Sequence, residues 1–89
     1  MEILLKVAFN SLVTVEFSIE NPPVLPLEGE IFSAAWDSFI LDKKAVKKIK
    51  DYEEGHVFLT HVIFKHFDKD RITVQVSLFE ENHYKESGY

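Results

Sequence analysis

Apolar and polar residues alternate over residues 3–19 of the chain. The odd positions are apolar except for Ser11, and the even positions include Lys6, Asn10, Thr14 and Glu16. This period of two is typical of a β-strand with one buried face. Because the stretch is much longer than the usual strand of about 5–6 residues, the pattern favours a hairpin that turns at residues 10–12.

A three-residue turn in this hairpin keeps the apolar rows of both strands on one face of the sheet. The predicted cross-strand pairs are Phe9 with Val13, Val7 with Val15, and Leu5 with Phe17. The turn contains Asn but no Gly, so the residue best suited to a tight turn is absent. One long bent strand over residues 3–19 is the alternative.

A second alternating stretch covers residues 55–80 and predicts two long strands joined by a three-residue turn at 68–70. The second of these strands carries a core row of alternate apolar residues: Ile72, Val74, Val76 and Leu78. On the first strand the apolar parity changes, because Val57 and Leu59 are odd whereas Val62 and Phe64 are even.

A β-bulge near Thr60 and His61 would restore one apolar face on that first strand, because the extra residue of a bulge reverses the alternation that follows. The predicted cross-strand pairs are then Phe64 with Val74 and Val62 with Val76. Bulges also bend the strands that contain them, so the pattern predicts a strongly curved sheet.

The middle of the chain connects these two strand pairs. Three prolines fall within residues 20–29 and predict an irregular, extended connector, with Val24, Leu25 and Leu27 turned inward. Residues 30–33 predict a short strand. Helical spacing of apolar residues predicts a helix at about residues 42–54, with Asp42 as its N-cap. A preceding helical turn contains Trp36, Phe39 and Ile40.

Together these elements predict an α+β fold: four to five antiparallel strands in a curved sheet or partial barrel, with one inserted helix at about residues 42–54. The 89-residue length and the 46% hydrophobic content suit one core. We therefore expect a single domain over residues 1–80. The polar residues 81–89 predict a flexible C-terminal tail.

Composition narrows the classes of function. The chain has no Cys, so it can form neither a disulfide nor a thiolate metal site, which fits a cytoplasmic protein. No signal peptide or membrane-spanning segment is evident, and we expect no membrane association. The net charge of −5 makes general affinity for nucleic acid unlikely.

The histidines do not predict a metal site. Three of them are spaced five residues apart, at His56, His61 and His66, so neighbours in the series fall on opposite faces of a regular strand. His56 and His66 share a face but would lie about 33 Å apart. We therefore expect structural or solvent-exposed histidines and no metal or cofactor.

A basic run at residues 43–50 is the main candidate for ligand binding. Its functional interpretation is a patch for phosphate or nucleic acid, formed by Lys43, Lys44, Lys47 and Lys48. The competing and favoured interpretation is a solvated helix face, with Lys47 near Asp51 and Lys50 near Glu54. The chain contains no paired carboxylates at catalytic spacing, no nucleophile motif and too few glycines for a phosphate loop. We therefore predict that the protein is not an enzyme.

Aromatic residues outside the predicted core rows suggest a contact surface. The candidates for this interface are Trp36, Phe58 and Phe79. The equally weighted alternative is a second small core beneath the helix and the proline connector.

The segment LEGEIF at residues 27–32 and the strand–turn–strand HVIFKHFDKDRITVQV at residues 61–76 resemble segments of short uncharacterised proteins of bacteria and their mobile elements. The resemblance implies a small curved-sheet or SH3-like barrel and no particular activity. The sequence therefore predicts a non-catalytic protein-interaction or assembly module that binds a protein partner or itself as a homo-oligomer. A nucleic-acid or phosphate-binding protein that uses the basic run is the alternative.

Overall fold

The fold is given by a computed structural model that describes residues 2–86. Its strands are β1 (Glu2–Phe9), β2 (Glu16–Glu20), β3 (Ile31–Phe32), β4 (Phe58–Phe67) and β5 (Arg71–Glu80). Its helices are α1 (Trp36–Phe39), α2 (Lys43–Glu53) and α3 (Glu81–Glu86). The strands form a curved half-barrel sheet in the order β2–β1–β5–β4–β3. The predicted α+β class, with a curved sheet and an inserted helix, is confirmed.

The sheet is mixed, because β1 pairs in parallel with β5 at its centre. The other strand pairs are antiparallel, as predicted. The parallel register places Leu5 beside Val74 and Val7 beside Val76, and all four side chains are at most 2% exposed. We call the face that these residues share the core face and the opposite one the back face. Alternation along each strand predicts which residues share a face, but it does not predict the direction in which distant strands pair.

The first hairpin is confirmed, and its register differs from the prediction by two residues. Leu5 lies opposite Ile19 and Val7 opposite Phe17, so the connection spans residues 10–15. The longer connection lets Val13 pack into the core instead of pairing with Phe9. Because a shift of two residues preserves parity, the apolar rows still fall on one face.

The bulge of β4 lies between Val62 and Phe64, two residues beyond the predicted position. Val62 lies opposite Val76 as predicted, but Phe64 lies opposite Gln75 instead of Val74. The core row of β4 is consequently Phe58, Thr60 and Val62, since Thr60 lies opposite Leu78. The predicted row that contained Leu59 and Phe64 is wrong.

The helical part of the chain matches the prediction closely. Helix α2 begins after Asp42, whose carboxylate accepts hydrogen bonds from the backbone N–H of Lys44 (3.0 Å) and Ala45 (3.3 Å). These contacts satisfy two amides of the first turn. The apolar face of α2 packs against the core through Ala45, Val46 and Ile49. None of the helices in residues 2–86 has both the length and the apolar character needed to cross a membrane.

Trp36 is the centre of the core, as the first residue of α1. Its ring lies 5.8–6.2 Å, centroid to centroid, from four aromatic rings of other elements: Phe9, Phe17, Phe32 and Phe58. Its indole N–H donates to the carboxylate of Glu53 at the end of α2. The predicted helical turn before α2 is therefore present, and it fixes both helices on the sheet.

The connector and the C-terminal segment differ from their predictions. Leu25 packs against the core, whereas Val24 and Leu27 are 77% and 61% exposed rather than turned inward. Residues 81–86, predicted to belong to a flexible tail, form α3 and bury Tyr84 on the back face. The remaining residues of that predicted tail, 87–89, lie outside the described part of the chain.

Candidate interaction surface

The outer side of β4, away from β5, is covered along only half of its length. Strand β3 pairs with Phe58 and Leu59, and the backbone of Thr60 bonds Gly29 and Glu30 at 2.8 and 2.9 Å. The N–H of Val62 donates to the Glu28 carboxylate at 2.9 Å. Within residues 2–86, no strand lies beside residues 63–67 on this side. We call this segment the β4 edge.

Ladder geometry identifies the backbone groups that the β4 edge presents. The N–H of Asp68 bonds Arg71 of β5, so it points toward the sheet. Because hydrogen bonding alternates along an antiparallel pair, Lys65 and Phe67 direct their backbone N–H and C=O groups away from β5. Such unpaired groups form a template for pairing with another strand.

Large apolar side chains accompany these unpaired backbone groups. Ile63 is 50% exposed, Phe64 47% and Phe67 69%. Phe64 lies on the back face, opposite Gln75, whereas Phe67 lies on the core face, opposite Ile72. Exposed apolar side chains on both faces of an edge strand favour contact with another chain, and Lys65 lies between them.

Glu28 marks the point where the β4 edge begins. Its carboxylate accepts hydrogen bonds from the Val62 N–H at 2.9 Å and the Tyr84 hydroxyl at 2.7 Å, and it lies 3.2 Å from Nδ1 of His61. Burial raises the pKa of the Glu28 carboxyl, but these hydrogen bonds and the charge of His61 together lower the pKa below its usual value. Glu28 therefore ties the connector to β4 and α3.

Glu28→Gln is expected to lower the free energy of unfolding more at about pH 7 than at about pH 3. Because folding lowers the pKa of Glu28, its stabilising contribution is present above the ordinary value of 4.5 and is lost as the pH falls through the folded value. Urea unfolding of both proteins at the two pH values measures this difference. Glu20→Gln, at an exposed carboxylate, is the control. An equal loss at both pH values would contradict the assigned contacts.

The predicted interface residues are not on the surface. Trp36 is 2% exposed and Phe58 0%, and both belong to the main core. Phe79 is 7% exposed and packs on the back face, with its ring 5.8 Å from His61 and 6.1 Å from Tyr84. The interface prediction is wrong for these three residues. Phe79 and Tyr84 of α3 instead form a second small core on the back face.

The basic run lies on the exposed side of α2. Some of its lysines form ion pairs and others do not. Lys47 forms an ion pair with Asp51 at 3.0 Å, and Lys50 pairs with Asp37. Lys44 and Lys48 line a groove of about 440 Å³ beside the loop at residues 11–15, and Lys43 is exposed. The free amides of the helix N-terminus already bond the carboxylate of Asp42. A phosphate would have to displace this carboxylate, and the binding function of the run stays a prediction.

The histidines are dispersed. His56 stacks on Tyr52, His61 contacts Glu28, and His66 lies 3.8 Å from Asp68. No group of three or more His, Asp or Glu residues within residues 2–86 is arranged to hold a metal ion.

A cluster of polar side chains lies at the end of β1 and consists of Ser11, Glu80 and His83. The Ser11 hydroxyl donates to Glu80 at 3.0 Å and lies 3.2 Å from Nδ1 of His83. The Glu80 carboxylate lies 3.6 Å from the same nitrogen. In a catalytic triad the serine and the carboxylate contact different ring nitrogens. This cluster therefore does not have the geometry of a triad.

An apolar cleft of about 540 Å³ lies between the connector and the sheet. Its walls include Leu5 and Ile19 from the sheet and Pro22 and Val24 from the connector. The cleft reaches from Ile19 of β2 to Ile31 and Phe32 of β3, which are the two edge strands of the sheet.

Comparison of the chain with protein-family models, with curated protein sequences and with solved structures gives no match. The resemblance to short bacterial proteins therefore stays a prediction. The functional interpretation rests on the geometry of the chain itself.

Proposed function

We propose that this protein is a non-catalytic interaction and assembly module that adds a strand from another polypeptide along the β4 edge. One observation carries the proposal: residues 63–67 combine unpaired backbone with the exposed side chains of Ile63, Phe64 and Phe67. Strand addition uses both features, because main-chain hydrogen bonds supply affinity and the alternating side chains supply specificity.

The size of the β4 edge indicates the kind of contact it makes. Five residues offer few ladder hydrogen bonds, so the buried area falls at the low end for protein interfaces, where complexes are weak and exchange readily. Strands β2, β1 and β5 already form a continuous sheet, and β5 holds β4 in place through its hydrogen bonds. An incoming strand therefore extends a preformed sheet, and little of this protein has to be reordered.

The absence of Cys supports a cytoplasmic location, which we include in the proposal. The curved sheet supports a barrel-like description, although the helices between β3 and β4 depart from a minimal SH3-like barrel. The basic run of α2 is the second candidate site, but the contacts of Lys47, Lys50 and Asp42 favour the solvated interpretation.

Lys65→Pro tests the proposed function. Proline removes the outward N–H of residue 65 and is tolerated at sheet edges, so it should block strand addition and leave the fold intact. Sedimentation velocity from about 10 µM to about 1 mM measures association. Hydrogen exchange of residues 63–67 reports whether the edge is the contact. Lys65→Arg is the matched control, since it retains both the N–H and the charge.

We expect the wild-type chain and Lys65→Arg to associate as the concentration rises, with protection of the amides of Lys65 and Phe67. Lys65→Pro should remain monomeric with an unchanged circular dichroism spectrum. The proposal is wrong if the wild-type chain stays monomeric throughout. It is also wrong if Lys65→Pro associates as the wild type does.

A further inference from the structure

Charge is distributed very unevenly along the chain. Between Lys6 and Lys43 there is no Lys, Arg or His. The same segment contains six acidic residues: Glu16, Glu20, Glu28, Glu30, Asp37 and Asp42. It forms β2, the connector, β3 and α1. The segment contributes strands at both edges of the sheet, because β2 and β3 lie at opposite edges. The β4 edge contains Lys65, and the turn that follows it contains Lys69 between Asp68 and Asp70.

The outer side of β2 is the second open edge within residues 2–86, since β2 pairs only with β1. The Asn21 N–H bonds Ile3 of β1 at 2.7 Å, so residue 21 points toward the sheet. By alternation, the outward backbone groups of β2 belong to Glu16, Ser18 and Glu20. The side chains of these three residues are exposed on the back face.

The charges at both edges lack intramolecular partners. Within the described residues, neither Glu16 nor Glu20 forms an ion pair, and the same is true of Lys65 and Lys69. By contrast, Lys47, Lys50 and Arg71 each pair with a carboxylate. Within residues 2–86, the two open edges thus carry charges of opposite sign that form no ion pair: Glu16 and Glu20 at one edge, Lys65 and Lys69 at the other.

We propose that the strand added to the β4 edge is β2 of a second copy of this chain, in antiparallel orientation. The inference rests on the proposed function and names its partner. The lengths agree, because β2 has five residues and the β4 edge spans residues 63–67. The charges of these four residues are complementary, and their spacing is the same: Glu20 is four positions after Glu16, and Lys69 is four positions after Lys65.

The hydrogen-bonding pattern of an antiparallel pair determines the register in which both lysines lie beside glutamates. Outward residues lie directly opposite outward residues in an antiparallel pair, with their side chains on one face. Lys65 lies opposite Glu20 of the second copy, Phe67 opposite Ser18, and Lys69 beside Glu16. Parallel pairing would instead place Lys65 against the apolar face of β2. The charges therefore select the antiparallel direction.

The same register uses the apolar residues at both edges. The side chain of Phe64 points to the other face from Lys65, and this is the face on which Ile19 of β2 lies. In this register Phe64 lies opposite Asn21, between Ile19 and Pro22, which line the apolar cleft. A partly exposed aromatic ring and an open apolar wall are thereby covered together, which adds hydrophobic stabilisation to the hydrogen bonds and ion pairs.

The contact is heterologous, because it joins two different surfaces. After one such contact, the first copy retains an open β2 edge and the second copy retains an open β4 edge. Association therefore continues past the dimer and gives a ring if the rotation closes or a filament if it does not. Added salt weakens the association, since exposed ion pairs are screened.

Charge reversal at each edge tests the pairing. The β2 variant is Glu16→Lys with Glu20→Lys, the β4 variant is Lys65→Glu with Lys69→Glu, and a third protein combines all four changes. Lys43→Glu with Lys44→Glu, on α2, changes net charge by the same amount as the β4 variant and is its control. Sedimentation velocity at low ionic strength measures the dissociation constant, and circular dichroism checks the fold.

We expect each single-edge variant to weaken association by at least about tenfold, because two attractions become two repulsions. The four-site protein and an equimolar mixture of the two single-edge variants should both recover association. The control should resemble the wild-type chain. Recovery would show that the charges face each other, since a misfolded variant could not be rescued by further substitution.

The outcomes separate this inference from the proposed function. If the β4 variant loses association while the β2 variant does not, the β4 edge is an interface but β2 is not its partner. If the four-site protein fails to recover, the pairing is also wrong. If the wild-type chain associates only to a dimer, the contact is symmetric and the inference fails. If Lys65→Pro and both charge variants associate normally, both proposals fail.

Discussion

Trp36→Ala is expected to lower the free energy of unfolding by about 3–5 kcal/mol. The indole ring is 2% exposed and contacts four aromatic rings from β1, β2, β3 and β4. Its removal leaves a cavity at the junction of both helices with the sheet. A domain of this size is stable by only about 4–13 kcal/mol, so the variant should be close to unfolding. Urea denaturation followed by far-ultraviolet circular dichroism measures the loss.

Two companion variants identify the source of that loss. Trp36→Phe retains an aromatic ring but removes the N–H that donates to Glu53, and it should cost about 1–2 kcal/mol. Phe39→Ala removes a ring of the same helical turn that is 38% exposed, and it should cost less than Trp36→Ala. Equal losses for Trp36→Ala and Phe39→Ala would show that Trp36 is not the centre of the core.

Thr60→Val is expected to raise the free energy of unfolding by about 1–2 kcal/mol. Thr60 is fully buried in the core row of β4, and its hydroxyl is the one buried side-chain polar atom within residues 2–86 that has no hydrogen-bond partner. A buried hydroxyl without a partner has lost its hydrogen bonds to water without replacement. Valine has nearly the same shape and removes this cost. Urea denaturation again measures the change.

Thr73→Val is the control for this substitution, because Thr73 is half-buried on the back face of β5 and its hydroxyl retains access to water. Its effect should remain within about 0.5 kcal/mol. A loss of stability in Thr60→Val would mean that the hydroxyl makes a contact that valine cannot replace. The comparison therefore tests the burial of Thr60 and also the position of the bulge that follows it.

Local patterns in the sequence predicted the elements of the fold well. The N-cap at Asp42 and the core row at Val74 and Val76 depend on neighbouring residues, so they can be read from one stretch of chain. The hairpin of β1 and β2 was predicted for the same reason, although its register moved by two residues because Val13 entered the core. The parallel pairing of β1 with β5 joins residues that are far apart in the sequence. The alternation of apolar residues within one strand does not predict such pairs.

The bulge illustrates why the details of register were harder to predict. Parity showed that β4 needed an extra residue, and the assumption that Val62 and Phe64 share the core face placed it near Thr60 and His61, before both of them. We treated Leu59 and Phe64 as core residues because they are apolar. The structure instead buries Phe58 and Thr60, so a polar residue holds a core position while Phe64 is exposed. Burial of a threonine cannot be inferred from hydrophobicity.

The exposed β4 edge was not predicted, for a related reason. The aromatic side chains outside the predicted core rows led to a predicted interface at Trp36, Phe58 and Phe79, but all three residues are buried. The exposed apolar residues on β4 were absorbed into the predicted core or left unassigned. One available signal was the parity change itself, since Ile63 is the residue skipped between the paired Val62 and Phe64. The acidic segment between Lys6 and Lys43 was a second signal.

The parallel pairing of β1 with β5 has a consequence for how the chain folds. Each residue pair in that ladder is separated by 69 positions, as for Glu2 and Arg71. Loop closure on this scale slows folding, because the entropy is lost before the contacts form. During synthesis the hairpin of β1 and β2 emerges early, with one apolar face uncovered until β5 arrives. A chaperone that binds nascent chains would therefore meet this hairpin before the sheet exists.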